Sequence, residues 1–510
     1  MLLDLEASNT PLLHHSIVFP SRDEFRTLAE RANLVPLIVD LVADVETPVS
    51  AFAKIDNGQP CFLFESAEKS EESGRFSFIG FDPLIIFKSI GSKVFMTENG
   101  ETQSFETNSD PLTELQKLLS RFRFVGPPGI PHFVAGAVGY IGYDLVRFFE
   151  PKVPIHPRNG LELPEMMFVI ARTLLVFDHR FRKLRLVTNA HIDNRISSNT
   201  AYDRARNDLE NAVEKLKRHR DLRPIPAQSI SHLPVAHSNT TPEKFESMVV
   251  SAKEHIAAGD IFQVVLSQRF ETGFSGDPLD LYRCLRFGNP SPYMFCLRFG
   301  DDFTAIGSSP EVHLRVRDQV AEIRPIAGTR PRGQDAVQDA RLARELIFDP
   351  KERSEHVMLI DLGRNDLGRI AQFGSVRVTE QMVIERYSHV MHIVSHVVAR
   401  LRADKNAFDA VRATFPAGTV SGAPKIRAMQ IITELEKSRR EFYAGIVGYF
   451  GLDGSHDSCI AIRSIILKNE RAYLQTGAGI VADSDPAREF EETVNKAKAM
   501  LEAIARAKKL

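Results

Sequence analysis

The sequence predicts an α+β protein of mixed α/β character. One observation is the strand-like pattern of the N-terminal part, where segments such as 61–66, 76–81 and 84–90 are rich in aromatic and β-branched side chains. Another is the alternation of strand-like and helix-like patterns after residue 241, which ends in a long helix. With 510 residues, 43% of them hydrophobic, the chain is long enough for two large units with buried cores.

A segment without apolar periodicity divides the chain. After a charged, helix-like stretch at 201–220, residues 221–240 are rich in proline, serine and histidine, which is typical of a linker. We therefore predict an N-terminal domain over 1–220, a linker over 221–240 and a C-terminal domain over 241–510.

Composition and charge exclude several classes of protein. A formal net charge of -2 gives no electrostatic reason to bind nucleic acid or an anionic membrane, so the ligand should be a small molecule or a protein. Four cysteines without a C-x-x-C pair argue against a zinc site and a disulfide framework. Because residues 1–30 lack a signal-peptide core and no run of about 18 apolar residues occurs, we expect a soluble, cytoplasmic protein.

The predicted C-terminal domain begins with a helix and a strand. Thr241 can cap the helix, Pro242 occupies its first turn, and apolar residues follow at helical spacing up to Gly259. The next segment alternates, which predicts a strand with Phe262 on its apolar face and Gln263 on the opposite face.

A second predicted helix carries an acidic side chain of interest. Asp349 is an acceptor cap, Pro350 fits the first turn, and Glu352 is spaced as a capping-box partner. We expect the helix to end at Gly363, with Glu355 in its second turn.

The last predicted helix opens at Pro486 and places Glu489 and Glu492 on one face. Two like charges at this spacing destabilise an isolated helix by about 0.2–0.5 kcal/mol unless they are screened. Periodicity alone favours a pair between Glu492 and Lys496 on a solvated surface. The alternative is a bound cation, for which carboxylate oxygens favour magnesium. The opposite face should form a core stripe of Phe490, Val494, Ala497, Leu501 and Ile504.

Three other features need support before they indicate chemistry. The segment 477–479 is Gly-Ala-Gly, which predicts a tight turn after a strand and lacks the third glycine of a dinucleotide-binding site. Arg463 alternates with apolar residues along a predicted central strand, so it needs an anionic partner, either a structural carboxylate or a ligand. His392 lies in an apolar segment and is by default a core residue.

Long motifs in a fixed order carry a family resemblance. Those of the C-terminal part are GSSPE (307–311), RPIAGTRPRG (324–333), SEHVMLIDLGRNDLGRI (354–370), VMHIVS (390–395), PAGTVSGAPKIRAMQ (416–430) and GIVGYF (445–450). Together they resemble the chorismate-utilising enzymes. Two N-terminal motifs, FLFESAE (62–68) and AGAVGYIGYDLVRFFE (135–150), resemble the anthranilate synthase component I branch of that family. The resemblance implies large antiparallel-rich sheets flanked by helices.

The resemblance also implies a set of site residues. Magnesium would be held by Glu355 and Glu492, with Glu489 nearby. Chorismate would contact Gly328, Thr329, Tyr443, Arg463, Gly477, Ala478 and Gly479. Glu311 matches a general acid that helps the hydroxyl on ring carbon 4 to leave. The residues that match those implicated in the later loss of pyruvate are His392 and Thr419.

Two positions discriminate among members of this family. Isochorismate-type enzymes have a lysine in place of Gln263, because water must be deprotonated before it attacks, whereas ammonia needs no such base. Aminodeoxychorismate synthases have a nucleophilic lysine in place of Ala327. The resemblance therefore implies that chorismate and ammonia give anthranilate and pyruvate. The alternatives are an isochorismate or salicylate synthase, and a non-catalytic tryptophan-binding regulatory protein.

The resemblance further implies regulation and a partner. A feedback pocket for L-tryptophan, as an inhibitor, is matched by Ser66, Asn289, Pro292, Tyr293 and Met294. No cysteine lies in a G-x-C-x-G motif, so the chain has no evident glutaminase of its own. A separate glutamine amidotransferase subunit is therefore implied as the source of ammonia.

Overall fold

A computed structural model describes residues 18–67, 74–126, 133–154, 156, 160–193, 196–227, 230, 232–387 and 390–510. Residue 68 of the FLFESAE motif and residues 228, 229 and 231 of the predicted linker lie outside these ranges. Within the described ranges, no helix combines the length and the apolar character that a bilayer-crossing segment needs.

Most helices begin where capping side chains and first-turn prolines predict them. Thr241 accepts a hydrogen bond from the backbone N–H of Lys244, and Asp485 accepts one from that of Arg488. The helices are α1 (Arg22–Ala29), α2 (Pro48–Ile55), α3 (Pro111–Ser120), α4 (Val146–Phe149), α5 (Ser198–Lys217), α6 (Pro242–Ala257), α7 (Pro278–Gly288), α8 (Ala336–Phe348), α9 (Pro350–Gly368), α10 (Ala407–Thr414), α11 (Lys425–Glu436) and α12 (Pro486–Ala507).

The strands pair in antiparallel fashion throughout one large sheet. They are β1 (Leu34–Val42), β2 (Cys61–Glu65), β3 (Phe76–Ile90), β4 (Lys93–Glu98), β5 (Glu101–Glu106), β6 (Gly136–Ile141), β7 (Met166–Asp178), β8 (Lys183–His191), β9 (His237–Ser238), β10 (Gln263–Gly273), β11 (Tyr293–Arg298), β12 (Thr304–Ser309), β13 (Val312–Arg317), β14 (Val320–Ile323), β15 (Ile326–Pro331), β16 (Arg377–Arg386), β17 (Val390–Arg400), β18 (Gly422–Ala423), β19 (Ile446–Gly451), β20 (His456–Ile460), β21 (Ser464–Lys468) and β22 (Arg471–Ile480).

The sheet has two limbs that leave opposite edges of β7. The first limb runs through β3, β2, β11, β12, β21, β22 and β10. The second runs through β6, β19, β20, β13, β14 and β17. Each limb joins strands from before and after the predicted linker, so both parts of the chain build the same sheet. The division into two domains stays a prediction.

The two limbs pack face to face and carry helices on their outer faces. Phe62 and Phe295 of the first limb share a core with Tyr140 and Val447 of the second. Outside the first limb, a second core includes side chains of α1, α2, α5, α7 and α12. Outside the second limb, a third core includes side chains of α3, α9, α10 and α11. This arrangement confirms the predicted fold class, an antiparallel-rich sheet flanked by helices.

Two predictions about element boundaries were wrong. Segments 76–81 and 84–90 form a single strand, β3, which turns at Asp82 with a φ of 51° and shifts register there. Helix α9 does not end at Gly363 but continues to Gly368. A β-carbon at Gly363 would lie 3.9 Å from Ile323 and Val397, an ordinary van der Waals distance, so this glycine neither ends the helix nor is needed for its packing.

Two predictions about buried faces were also wrong. Phe262 is 74% exposed, because it precedes β10 and lies beyond the helices that cover Val264. On α12, Val494 is 40% exposed and Thr493 is fully buried in its place. The hydroxyl of Thr493 accepts a 2.6 Å hydrogen bond from the amide of Gln268, so a polar residue occupies the core stripe without an unpaired group.

Candidate functional site

Glu311 is a buried carboxylic acid at the crossover between the two limbs. It lies between β12 and β13, and the hydroxyl of Thr419, in the 3₁₀ turn Gly418–Val420, donates a 2.6 Å hydrogen bond to its Oε1. Burial raises the pKa of Glu311 to about 8, and the hydrogen bond from Thr419 partly opposes that shift. At pH 7 the side chain is therefore mostly protonated, which is the state that the predicted general acid needs.

His392 lies on β17, opposite Thr329 of β15. Its Nδ1 is 2.9 Å from the carbonyl oxygen of Gly328 and 3.1 Å from the hydroxyl oxygen of Thr329. Because a carbonyl oxygen only accepts, the contact with Gly328 favours the tautomer with its proton on Nδ1. Burial lowers the pKa of His392. The ring is therefore neutral at pH 7, and its Nε2 presents a lone pair.

The backbone conformation and the close neighbours at position 328 favour a glycine. Its φ is 68°, in the left-handed region, and the register of β15 against β17 shifts at this residue. A side chain there would come within 3.0 Å of Oε2 of Glu352 and 2.9 Å of Leu346. Gly328 and Thr329 thus connect His392 to the N-terminal turns of α9.

Arg463 is a buried guanidinium without a carboxylate partner. It lies between β20 and β21 with a φ of 52°, so the predicted continuous strand is broken at this residue. Its Nη1 donates a 3.0 Å hydrogen bond to the carbonyl oxygen of Lys496. Within the described part of the chain, no carboxylate lies within 4.0 Å of its nitrogen atoms. Burial lowers the pKa of Arg463, so the site would gain from an anionic ligand.

The predicted turn at Gly477, Ala478 and Gly479 is wrong, because these residues form part of β22 and pair with β10. Their small size admits neighbouring side chains instead. A side chain at Gly477 would lie 2.6 Å from the hydroxyl oxygen of Tyr443, and one at Gly479 would lie 2.6 Å from Nε2 of Gln263. The absence of side chains at Gly477 and Gly479 therefore allows Tyr443 and Gln263 to approach the backbone of β22 closely.

Four carboxylates on α9 and α12 influence one another. The pKa of Glu355 is raised first by burial and then by the negative charge of Glu352, with a smaller contribution from Glu492. Burial is also the main reason for the raised pKa of Glu489, and the charge of Glu492 adds to it. Gln263 donates a 3.4 Å hydrogen bond to Oε1 of Glu355. A divalent cation would relieve this repulsion, so the oxygen donors present fit magnesium.

These carboxylates do not form a closed metal cage. No group of three or more His, Cys, Asp or Glu side chains suited to a metal ion occurs among the described residues. Glu492 forms a 2.7 Å ion pair with Lys496, which is the surface pair that periodicity favoured. Lys496 also donates to the carbonyl oxygen of Gly477, so this pair lies beside the substrate-binding candidates. Magnesium retains several waters and needs only one or two carboxylates, so the arrangement remains compatible with it.

A chain of contacts joins the candidate residues into one cluster, which is called the cleft below. Gln263 reaches Glu355 on one side and Gly479 on the other, while Lys496 reaches Gly477, Glu492 and Arg463. The turn that carries Thr419 contacts α9, β10 and β22. The structure thus brings together the predicted catalytic, substrate-binding and metal-binding residues.

A separate cavity of about 210 Å³ lies between the limbs. Four of the five residues predicted to form a tryptophan pocket line it, namely Ser66, Pro292, Tyr293 and Met294. The fifth, Asn289, does not line it; its side-chain amide donates a 3.3 Å hydrogen bond to Ser308 behind the wall. Phenylalanine and tyrosine side chains make up much of the remaining wall.

Two residues of the cleft escaped the sequence analysis. Glu352 was assigned to a capping box, but its carboxylate forms a 3.1 Å ion pair with Arg330 and its charge acts on Glu355. Its spacing three residues before Glu355 on one helix face was the available signal. Lys496 was considered only as a surface partner of Glu492. Its contact with Gly477 depends on tertiary packing, which leaves no signal in the sequence.

The profile of the chorismate binding enzyme family matches residues 59–502. The chain belongs to this family. A relative from Synechocystis named anthranilate synthase component 1 is 46% identical in an alignment that covers 96% of this chain and 99% of the relative. The resemblance that the motifs indicated is therefore confirmed.

Solved structures agree with the family assignment. The crystal structure of anthranilate synthase component I from Streptococcus pneumoniae matches with a TM-score of 0.73 and 37% identity, over 90% of this chain and 99% of that one. The menaquinone-specific isochorismate synthase of Escherichia coli matches with a TM-score of 0.69 over 94% of this chain and 98% of that one. At 19% identity, the second likeness shows a common fold alone.

Proposed function

We propose that this protein is the large subunit of an anthranilate synthase, which converts chorismate and ammonia to anthranilate, pyruvate and water. The observation that carries the proposal is the largely buried guanidinium of Arg463, which has no carboxylate partner among the described residues, in a cleft that also holds the neutral acid Glu311. An anionic substrate whose hydroxyl group must leave needs both groups. The names and high identity of the full-length relatives support the same choice.

In this proposal, Arg463 and Tyr443 bind one carboxylate of chorismate. The guanidinium supplies two parallel donors, and the backbone of Gly477, Ala478 and Gly479 supplies further polar groups. Gly328 and Thr329 contact the chorismate ring from the opposite side of the site. Binding of the carboxylate would compensate Arg463 for the hydration that its guanidinium lost on folding. The same residues would therefore both bind chorismate and fix its orientation.

Glu311 and His392 move protons at two different atoms. Glu311 donates a proton to the oxygen on ring carbon 4, which leaves as water while ammonia forms a bond to ring carbon 2. His392 then accepts the proton on ring carbon 2 through Nε2. The ring becomes aromatic as pyruvate departs, and Thr419 keeps Glu311 oriented between the two steps.

Glu355 and Glu492, with Glu489 nearby, would hold Mg²⁺ in this proposal. The ion supplies positive charge that binds a carboxylate of chorismate and offsets negative charge as the ring reacts. The mutual repulsion of these carboxylates supports the assignment.

Ammonia is proposed to arrive from a glutamine amidotransferase subunit. The relatives are named as component 1, which implies a further component. In this chain, all four cysteines are buried and free, and burial raises the pKa of each thiol, to about 12 for Cys296 and Cys459. A thiol with so high a pKa does not supply the thiolate that a glutaminase needs. Reduced, buried thiols also fit the cytoplasm as the location.

We further propose that L-tryptophan inhibits the enzyme by binding in the cavity lined by Ser66 and Tyr293. Its volume of about 210 Å³ and its aromatic wall suit an indole ring. The two alternatives are less well supported. An isochorismate or salicylate synthase would need a lysine in place of Gln263, and a non-catalytic regulatory protein would not need an intact cleft.

The decisive experiment mixes the purified protein with chorismate, Mg²⁺ and an ammonium salt. We expect anthranilate, detected by fluorescence and identified by mass spectrometry, together with an equal amount of pyruvate. Omission of ammonium serves as the control and should abolish the product. Formation of isochorismate or salicylate, or no turnover of chorismate at all, would contradict the proposal.

A further inference from the structure

The segment between α11 and β19 is strained, and its residues 440–445 are buried. Lys437, Glu441 and Ala444 all have φ values between 51° and 64°, which is uncommon for residues other than glycine. Such backbone persists only where the surrounding contacts fix it. The segment also carries Tyr443, a proposed substrate-binding residue, so what fixes its position matters for the site.

Arg440, within this segment, is 2% exposed and forms an ion pair with Glu436. Its Nε donates to Oε2 of Glu436 over 2.8 Å, and its Nη2 donates to Oε1 over 2.5 Å. Two further hydrogen bonds reach backbone carbonyls, from Nη1 to Val420 over 2.7 Å and from Nη2 to Val265 over 2.6 Å. The guanidinium also lies 5.6 Å from the ring centre of Tyr443.

Each of these contacts adjoins a proposed site residue. Val420 follows Thr419, whose hydroxyl holds Glu311. Val265 lies two residues after Gln263 in β10. Glu436 extends the connection, because its Oε1 accepts hydrogen bonds from the backbone and the side chain of Ser267, also in β10. One guanidinium therefore spans the turn of Thr419, the strand of Gln263 and the ring of Tyr443.

A contribution to fold stability does not by itself explain why Arg440 and Glu436 form a buried ion pair. Removing two charges from water is costly, and replacement of both partners by apolar residues is often neutral or stabilising. The planar guanidinium supplies a fixed fork of donors, which a lysine cannot reproduce. From these contacts we infer that Arg440 is a positioning residue that sets the distances among Thr419, Gln263 and Tyr443 around the substrate, without touching the substrate itself. The inference rests on the proposed function.

The first test is Arg440→Lys, which keeps the charge and removes the fork. We expect a folded protein by circular dichroism, with kcat/KM for chorismate lowered about 10- to 100-fold, as loss of hydrogen bonds to a charged group predicts. Because a displaced Thr419 no longer holds down the pKa of Glu311, the fall of kcat/KM at alkaline pH should move to higher pH. A role in stability alone would not move that fall.

A control and a second variant keep the test decisive. Arg298→Lys alters another largely buried ion pair, with Asp56 at 2.7 Å, and should leave the pH profile in place. If Arg440→Lys does not fold, the double change of Arg440→Met and Glu436→Met removes both charges and should fold with the same loss of kcat/KM. Unchanged kcat/KM and pH profile in a folded variant would overturn the inference, as would unfolding of the double variant. Failure of the wild type to make anthranilate would instead refute the proposed function.

Discussion

The candidate catalytic cleft and the cavity beside it differ in how their charged groups are paired. In the cleft, Arg463 has no carboxylate partner among the described residues, and Glu355 carries a pKa raised by burial and by neighbouring negative charge. In the cavity, Arg315 donates to Asp457 over 2.9 Å and to the hydroxyl of Tyr293 over 3.0 Å, so its charges are paired in advance. The cleft therefore holds charged groups that a ligand or a cation could neutralise, whereas Arg315 in the cavity is already neutralised by the protein.

The crossover between β12 and β13 separates these two regions. Pro310 and Val312 line the cavity, whereas Glu311 between them turns to Thr419 in the cleft. A few residues of one chain segment therefore contribute to a wall with paired charges and to an acid with a raised pKa. The comparison teaches that shifted pKa values and a guanidinium without a carboxylate partner single out the candidate catalytic region, whereas paired charge and aromatic walls suit the binding of a ring such as indole.

The largest expected effect lies in the cleft. Glu355→Gln should lower kcat/KM for chorismate by roughly 1000-fold or more, because a bound metal ion contributes several kcal/mol to a reaction that develops charge. Calorimetry should show a matching loss of Mg²⁺ binding. Glu491→Gln is the matched control, since Glu491 is exposed on α12 next to Glu492 and should behave as wild type. Magnesium-dependent turnover by the Glu355 variant at the wild-type rate would show that Glu355 does not bind the metal ion.

A smaller loss of activity is expected from a change of Glu311, at the crossover between β12 and β13. Glu311→Gln should lower kcat by about 100- to 10,000-fold, the usual contribution of a general acid. In the wild type, kcat/KM should fall as the pH rises above about 8, because Glu311 is active only while protonated and its pKa is about 8. That alkaline fall should vanish from the residual activity of the variant. A wild-type profile flat to pH 10 would show that Glu311 is not the acid.

The smallest effect belongs to the cavity. Ser66→Ala or Met294→Thr should raise the tryptophan concentration for half-inhibition by about 5- to 30-fold, because each removes one contact of roughly 1–2 kcal/mol. The kcat without tryptophan should stay unchanged, since neither residue lies in the cleft. Ser120→Ala, at an exposed position on α3, is the control. An enzyme that ignores tryptophan from the start would leave the cavity without a regulatory role.

Local signals predicted where elements begin better than which faces they bury. Thr241, Pro350 and Pro486 open helices as predicted, because capping and proline effects act within one turn. The buried face of α12 was wrong at Val494, because hydrogen bonds from distant strands satisfy Thr493 in the core. The Gly-Ala-Gly segment was wrong for a related reason. Its glycines serve close packing across strands rather than a turn.

For the site, the sequence by itself determined the chemical inventory. Gln263 and Ala327 stand where related enzymes have lysines, and the order of motifs indicated the family, because residue type and order need no coordinates. Only the tertiary structure decided the electrostatic state of that inventory. The raised pKa of Glu311, the absence of a carboxylate beside Arg463 in the described ranges and the contacts of Arg440 all depend on burial and on residues far apart in the chain. The protonation state of an ionisable group depends on its surroundings, and those surroundings exist only in the folded protein.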